Sequence, residues 1–204
     1  MQTPYPVQAE RICWMKRQLP HDAGLVIDCT GVGVGVADEI ERRGVYPTRV
    51  AIVHGQDAHW SGSRVSLPKG VLVSKIVARI HAEEIKVHPS IKDWPTLRRE
   101  LMNFHVELTR SGAETWNAAR SEHDDLVIAT SLACWWLSDG AVPWQGLLSY
   151  LTQSRGLSTP ERWCLGVDVG QAHDPSALCV MSRIDLPSQS DIRDESLVRS
   201  GAAA

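Results

Sequence analysis

The stretch that decides the fold lies near the start of the chain and reads Gly24-Leu25-Val26-Ile27-Asp28-Cys29-Thr30, followed by Gly31-Val32-Gly33-Val34-Gly35. Its first part is a short apolar run that ends in an acid, which is typical of a buried strand. The glycines predict a turn, and Val36–Arg43 has a helical pattern that Gly44 stops. The order of strand, loop and helix indicates an α/β domain.

A glycine-rich loop between a strand and a helix also opens dinucleotide-binding folds. The spacing here does not fit that class, because GxGxxG counted from Gly31 or from Gly33 places Val36 or Asp38 at the third glycine. The chain also has no GxxxxGK[ST] sequence, so it carries no P-loop for ATP hydrolysis. We therefore interpret the glycines as serving a tight turn, and a nucleotide-binding oxidoreductase is disfavoured.

Further along the chain, β-type and helical patterns continue to alternate, which favours one α/β sheet in one domain. Leu126–Leu137 is apolar almost all round and is predicted to be a buried helix. Residues 170–175 are predicted to join two late β-type runs as a hairpin. The predicted strands are Thr48–Val53, Arg64–Leu67, Ile85–His88, Phe104–Thr109, Arg162–Val169 and Ala177–Arg183, and the further predicted helices are Lys69–Glu84, Trp94–Asn103, Leu126–Leu137 and Trp144–Gln153.

The composition is that of an ordinary globular protein. The 204 residues are 43% hydrophobic and 22% charged, which is enough to bury a core. No apolar run approaches the roughly 20 residues of a bilayer span, and Met1–Glu10 lacks the pattern of a signal peptide. The five cysteines include no CxxC pair, so we expect buried thiols in a reducing cytoplasm, with neither a structural zinc nor a disulfide framework.

The net charge of −3 is unevenly distributed. Residues 42–120 carry thirteen basic and seven acidic side chains, whereas residues 121–174 carry two basic and seven acidic ones. A basic surface beside an acidic pocket would suit a metal-dependent enzyme that acts on nucleic acid. Chance unevenness among solvated charges is the alternative, and charge alone favours it.

Acids stand at the edges of three apolar elements. Asp28 ends a strand, Asp168 lies late in a strand, and Asp124 and Asp125 open the buried helix. Burial of a carboxylate is costly unless it is paired or binds a cation, and convergent carboxylates can hold one or two magnesium ions that cleave a phosphodiester. Taken singly, several acids have structural alternatives: Asp124 as an N-cap, Asp125 as a partner of the helix dipole, and Asp28 as an acceptor for amides of the glycine loop. Asp174, which precedes Pro175, has the alternative of a turn residue.

Several separated motifs resemble the nuclease domain of phage terminase large subunits. In order and spacing, the similar stretches are Val26-Ile27-Asp28-Cys29-Thr30-Gly31-Val32-Gly33, Ser66-Leu67-Pro68-Lys69 and His123-Asp124-Asp125-Leu126-Val127-Ile128-Ala129. Together they make Thr3–Trp136 similar to the later two thirds of that domain. Leu165–Ala177 resembles the first strand, hairpin and first acid of the same domain, which in the family precede the other motifs.

The resemblance implies a ribonuclease H-like α/β fold, a mixed sheet flanked by helices, that is circularly permuted or incomplete in this chain. Residues 1–140 would form the main part of the nuclease domain, and residues 141–161 a linker with one predicted helix. Residues 162–184 would supply the first-strand hairpin segment of the same fold. Residues 185–204 would be a polar, disordered tail.

The resemblance also implies roles for particular residues. Asp168 matches the first metal-binding acid and Asp28 the second. The pair Asp124-Asp125 contains the third, and Asp125 is preferred because Asp124 is better placed to cap the helix. Lys69 matches a recurring lysine that could meet a phosphate, with a solvated lysine at a helix start as the alternative. The secondary candidates are His123, His173 and Asp174.

The function that the resemblance implies is a Mg²⁺- or Mn²⁺-dependent endonuclease, with a two-metal site, that cleaves double-stranded DNA during phage genome packaging in the bacterial cytoplasm. The ATPase part of a terminase is absent, so the expected partners are DNA, a portal protein, a small terminase subunit or a separate ATPase subunit. One alternative is an inactive fragment that binds DNA or a portal. Another is a different ribonuclease H-like nuclease, such as a junction resolvase.

Overall fold

A computed structural model describes residues 3–55, 57–108, 114–118, 124–140, 161–170 and 176–184. The helices are α1 (Tyr5–Gln18), α2 (Gly33–Arg42), α3 (Lys69–His81), α4 (Trp94–Asn103) and α5 (Asp125–Trp135), which continues into a π-helical turn at Trp136–Gly140. The strands are β1 (Gly24–Asp28), β2 (Thr48–Val53), β3 (His59–Ser61), β4 (Arg64–Pro68), β5 (Phe104–Leu108), β6 (Glu114–Ala118), β7 (Arg162–Asp168) and β8 (Ala177–Arg183).

Six of the strands form one mixed sheet in the order β3-β4-β2-β1-β7-β8. The central strands β4, β2, β1 and β7 are parallel to one another, whereas β3 and β8 pair antiparallel at the two edges. Strands β5 and β6 form a separate antiparallel pair. The predicted α/β class, with a mixed sheet flanked by helices, is confirmed.

The late strand β7 lies directly beside the early strand β1. The two pair in parallel, with a register that runs from Gly24 opposite Cys164 to Ile27 opposite Val167. Both strands end one residue later, at Asp28 and at Asp168. The two acids therefore lie side by side at the carboxyl ends of these parallel strands. Strand β7 therefore joins the sheet next to the strand that carries Asp28.

Helices cover both faces of the sheet. Neighbouring residues of a strand point to opposite faces, so Val26 and Ile27 of β1 belong to different cores. Val26 packs with residues of α3 and α5, including Leu72 and Leu132. Ile27 packs with residues of α1 and α2, and the members of that core include Ala9, Ile12, Val36, Ile40 and Leu165.

Two glycines fix how α5 crosses the sheet. A Cβ at Gly166 of β7 would lie 2.1 Å from the carbonyl oxygen of Ala129, near the start of α5. A Cβ at Gly24, the first residue of β1, would lie 2.7 Å from the ring of Trp136, at the end of α5. Helix α5 therefore runs antiparallel to both strands, and its N-terminus lies at their carboxyl ends.

The glycine loop between β1 and α2 is a tight turn, as predicted. Gly31 has a φ of 92°, which favours glycine. A Cβ at Gly33 would lie 1.7 Å from the carbonyl oxygen of Asp28, so only glycine allows the start of α2 to approach β1 this closely. The loop thereby seats the helix against the strand that carries Asp28.

One predicted strand is wrong. Ile85–His88 has no regular secondary structure, and α3 ends at His81 instead of Glu84. Glu83 has a φ of 57°, so the chain leaves the helix through a left-handed residue. Pro89 follows directly, and because it has no backbone N–H it could not extend so short a strand as a hydrogen-bond donor.

Three elements went unpredicted. Helix α1 buries Ala9, Ile12 and Cys13 at helical spacing, but it exposes Val7 and Trp14, which obscures the periodicity of its sequence. All three residues of β3 are exposed, so no buried pattern marked it. The third unpredicted element is strand β6, which pairs with β5.

The predicted helix at Trp144–Gln153 lies outside the described residues. Within the described ranges, no helix is long and apolar enough to cross a membrane.

Candidate functional site

Asp28 stands at the end of β1 and is held by the backbone that follows it. Its Oδ1 accepts a hydrogen bond of 2.7 Å from the amide N–H of Thr30. Thr30 is anchored in turn, because its Oγ1 accepts a 2.7 Å bond from the amide of Ile52. Desolvation raises the pKa of Asp28, and the charge of Asp124 adds to this, whereas the hydrogen bonds from Thr30 and the charge of Lys69 lower it. The structural alternative for Asp28, in which its carboxylate accepts backbone amides of the glycine loop, is therefore observed for the amide of Thr30.

Asp168 is the last residue of the neighbouring strand β7, and its surroundings disfavour the charged form of its carboxyl group. Burial, followed by the negative charges of Asp28, Asp125 and Asp124, raises its pKa from the usual 3.8 to about 8. Lys69 offsets only part of this effect. The charges that act on Asp168 therefore come from carboxylates in separate parts of the sequence, on β1 and at the start of α5.

These side chains share one face of the sheet. Asp28 lies two residues after Val26, and Asp168 two residues after Gly166, so each has the orientation of the residue that packs against α5. Helix α5 begins at the same edge, with Asp124 at its N-cap position and Asp125 as its first residue. Three elements therefore bring four carboxylates to one end of the sheet.

Asp124 does not cap the helix with its side chain, although it occupies the N-cap position. Its Oδ2 instead lies 2.5 Å from Nζ of Lys69, the first residue of α3. The interpretation of Asp124 as a simple cap is therefore wrong. Asp125 lies in the first turn of α5, where the positive end of the helix dipole favours a carboxylate.

Lys69 brings a positive charge into the cluster. Besides its bond to Asp124, its Nζ lies 5.4 Å from the ring centroid of Phe104, a favourable position for a cation. Its charge also lowers the pKa of Asp28 and of Asp168. The predicted lysine is therefore present beside the acids and is not a freely solvated residue at a helix start.

Glu100 is a buried acid that the sequence analysis missed. Its side chain is 8% exposed, and its Oε2 accepts bonds of 3.1 Å from the amides of Leu126 and Val127 in the first turn of α5. Burial raises the pKa of Glu100, and the charges of Asp125 and Asp124 contribute. In sequence Glu100 is one more polar residue of a predicted helix, so only the tertiary contact reveals its role.

The secondary candidates His123, His173 and Asp174 lie outside the described residues. Among the described candidates, Lys69 pairs with Asp124, and the charges of Asp28, Asp124, Asp125 and Lys69 all act on Asp168. That they form one metal site stays a prediction. No described group of three or more His, Cys, Asp and Glu side chains is already spaced to hold a metal ion. A cation would have to draw the carboxylates together and compete with Lys69 for Asp124.

The donor chemistry nevertheless suits a hard divalent cation. Carboxylate oxygens are the ligands that Mg²⁺ and Mn²⁺ prefer. Burial and mutual repulsion, which hold the pKa of Asp168 near 8, are the effects that a bound dication would relieve. The residues present therefore fit such an ion, and Asp28, Asp168 and the Asp124-Asp125 pair are the side chains that would hold it.

Comparison with known proteins gives one structural likeness. The chain is similar to the crystal structure of the large terminase nuclease from the thermophilic phage G20c with bound cobalt, at 26% sequence identity and a TM-score of 0.48. The match covers 65% of this chain and 62% of that one, so it spans less than two thirds of the phage protein. No family model matches this chain, and no curated protein matches it.

Proposed function

We propose that this protein is a divalent-metal-dependent endonuclease that cleaves double-stranded DNA. The observation that carries the proposal is the placement of Asp28 and Asp168 at the ends of two adjacent parallel strands, facing the N-terminus of α5 and its two aspartates. A buried carboxyl group such as Asp168, whose pKa burial and neighbouring acids raise to about 8, is unfavourable in its charged form unless a cation or a reaction uses it. The motif resemblance of the sequence to terminase nucleases supports the same class of activity.

In this proposal each element contributes a defined group to the site. Asp28, Asp168, Asp125 and Asp124 would hold one or two Mg²⁺ or Mn²⁺ ions. Bound there, such ions would activate a water molecule and stabilise the charge that develops on a phosphodiester. Thr30 keeps the Asp28 carboxylate in place through its amide, because that amide belongs to a turn tied to β2. Asp124, once it exchanges Lys69 for the cation, would leave the ammonium group free to meet a DNA phosphate.

The basic middle of the chain supports a polyanionic substrate, although part of its charge is internally neutralised. Arg42 and Arg43 pair with Glu39, and Arg49 is buried against Asp38 and Glu41. Other basic side chains remain at the surface, among them Arg98 and Arg99, which precede the buried Glu100 on α4. Phosphate contacts from these arginines would place DNA beside α5.

A role in phage genome packaging, in the bacterial cytoplasm, is part of the same proposal. It rests on the motif resemblance described above. DNA, an ATPase, a portal protein and a small terminase subunit would be its partners. Residues 1–140 and 162–184 would together form the nuclease domain, joined by residues 141–161.

The test is plasmid cleavage by purified protein in Mn²⁺, compared among the wild type, Asp28→Ala and Asp168→Ala. Asp22→Ala is the matched control, because Asp22 is an exposed acid just before the start of β1, whereas Asp28 lies at the carboxyl end of that strand. We expect cleavage by the wild type and the control, and none by the two site variants. Equal nicking by all four proteins would overturn the proposed site.

A non-catalytic DNA-binding module is the second candidate function. The observation that favours it is the ion pair of Lys69 with Asp124, which occupies one of the acids in the cluster. This alternative predicts salt-sensitive DNA binding that is independent of divalent metal, without cleavage. Filter binding in EDTA and in Mn²⁺, measured beside the cleavage assay, distinguishes the two functions.

A further inference from the structure

We propose that Glu100 is a positioning residue that fixes Asp124 and Asp125 for cation binding by capping α5 from outside the helix. The proposal rests on the proposed function, because it concerns the same cluster of acids. Glu100 lies on α4, separate in sequence from all the predicted metal ligands. It is not itself proposed as a ligand or as a group that touches the substrate.

The first amides of any α-helix lack acceptors within the helix. The residue at the N-cap position usually provides one through its own side chain. In α5 that residue is Asp124, whose side chain is instead engaged by Lys69 and makes no capping bond. Glu100 takes over this task, because a single oxygen accepts the amides of Leu126 and Val127 at 3.1 Å each.

This arrangement has a consequence for the site. A capping bond from Asp124 would tie its carboxylate to the amides of α5 and withdraw it from the cluster. With the amides satisfied by Glu100, both aspartates of the first turn stay out of the capping role. The cap also joins α4 to the helix start immediately after Asp125, so it restrains the backbone that carries both carboxylates.

A further feature makes a purely structural explanation insufficient. Glu100 is 8% exposed, and its charge lies close enough to Asp124 and Asp125 to interact with them. Placing one more buried acid beside an acidic cluster is a costly way to cap a helix, because serine or threonine at position 124 would do so locally. The arrangement is understandable if position 124 is reserved for another task.

Three variants separate the geometry of Glu100 from its charge. Glu100→Gln keeps the length of the side chain and an acceptor oxygen while it removes the charge. Glu100→Asp keeps the charge but is one methylene too short to hold both amides, and Glu100→Ala removes the acceptor. The readout is the affinity for Mn²⁺, measured on the folded full chain by the electron paramagnetic resonance signal of free Mn²⁺.

We expect Glu100→Ala and Glu100→Asp to weaken Mn²⁺ binding by about 10- to 100-fold, the usual cost when a residue that orients metal ligands is lost. We expect Glu100→Gln to stay within about threefold of the wild type. Ile40→Val is the control for general destabilisation, because Ile40 is buried on the opposite face of the sheet. It should lower the melting temperature without changing Mn²⁺ affinity.

The outcomes distinguish this role from the proposed function. Wild-type protein that binds no Mn²⁺ would overturn both. Wild-type binding that Asp28→Ala abolishes and Glu100→Ala leaves unchanged would overturn the positioning role alone. Loss of binding in Glu100→Gln as severe as in Glu100→Ala would also overturn it, since charge rather than the cap would then be responsible.

Discussion

Asp28 and Asp168 end adjacent parallel strands in matching register, although 140 positions of numbering separate them: Ile27 faces Val167, and each acid is the next residue of its strand. This pairing places two carboxylates side by side on the face that α5 covers. Burial, followed by the charge of Asp28 and of the two aspartates at the start of α5, raises the pKa of Asp168 to about 8. The strand pairing thus supplies the first of the charges that act on Asp168.

The first prediction concerns stability and pH in the absence of metal. The pKa of Asp168 is about 8 in the folded protein and near 3.8 in an unfolded chain, so the fold binds this proton more tightly. The resulting stabilisation is complete below about pH 4 and is lost as the pH rises toward about 8, at up to about 1.4 kcal/mol per pH unit. Urea unfolding in EDTA between pH 5 and pH 8 should show this decline.

Asp168→Asn provides the control, because asparagine cannot titrate. Its free energy of unfolding should fall less steeply across the same range of pH. Identical slopes for the wild type and for this variant would show that Asp168 is not the group responsible.

The second prediction concerns the effect of a divalent cation on stability. A ligand that binds only the folded state at 100 times its Kd stabilises by about 2.7 kcal/mol. Mn²⁺ at that concentration should therefore raise the melting temperature of the wild type at pH 7, and EDTA should reverse the shift. Asp28→Ala should abolish the effect, whereas Asp22→Ala should retain it. A Mn²⁺-induced shift that survives Asp28→Ala would place the cation elsewhere.

The third prediction concerns Gly33. An added Cβ would lie 1.7 Å from the carbonyl oxygen of Asp28, so Gly33→Ala forces the backbone apart and should cost about 3 kcal/mol or more. Gly44→Ala serves as a comparison, because its Cβ would meet no atom within 4 Å and only its φ of 77° is unfavourable. That variant should lose about 1 kcal/mol. Equal losses in urea unfolding would contradict the steric explanation.

The sequence predicted the parts of the site that follow from local patterns. An apolar run ending in Asp28 and another ending near Asp168 indicate strands, and parallel strands bring their carboxyl ends to one edge. It did not predict the partner of Asp124, because the local pattern of a helix start indicates a cap and Lys69 is 55 residues away. The capping role of Glu100 was not predicted for the same reason, since its two amide partners lie 26 and 27 residues further along the chain.

The last prediction concerns Lys69, whose ammonium group competes with a cation for Asp124. Lys69→Met keeps much of the apolar length of the side chain and removes the charge. Without the 2.5 Å ion pair, Asp124 becomes available and the cluster becomes more negative, so Mn²⁺ affinity should rise several-fold. Cleavage of DNA at saturating Mn²⁺ should fall at least tenfold if Lys69 meets the phosphate, as proposed. Lys92→Met is the matched control, because Lys92 is exposed on the loop before α4, and it should change neither quantity. A Lys69→Met protein that binds Mn²⁺ more tightly and cleaves as fast as the wild type would show that the lysine only restrains Asp124.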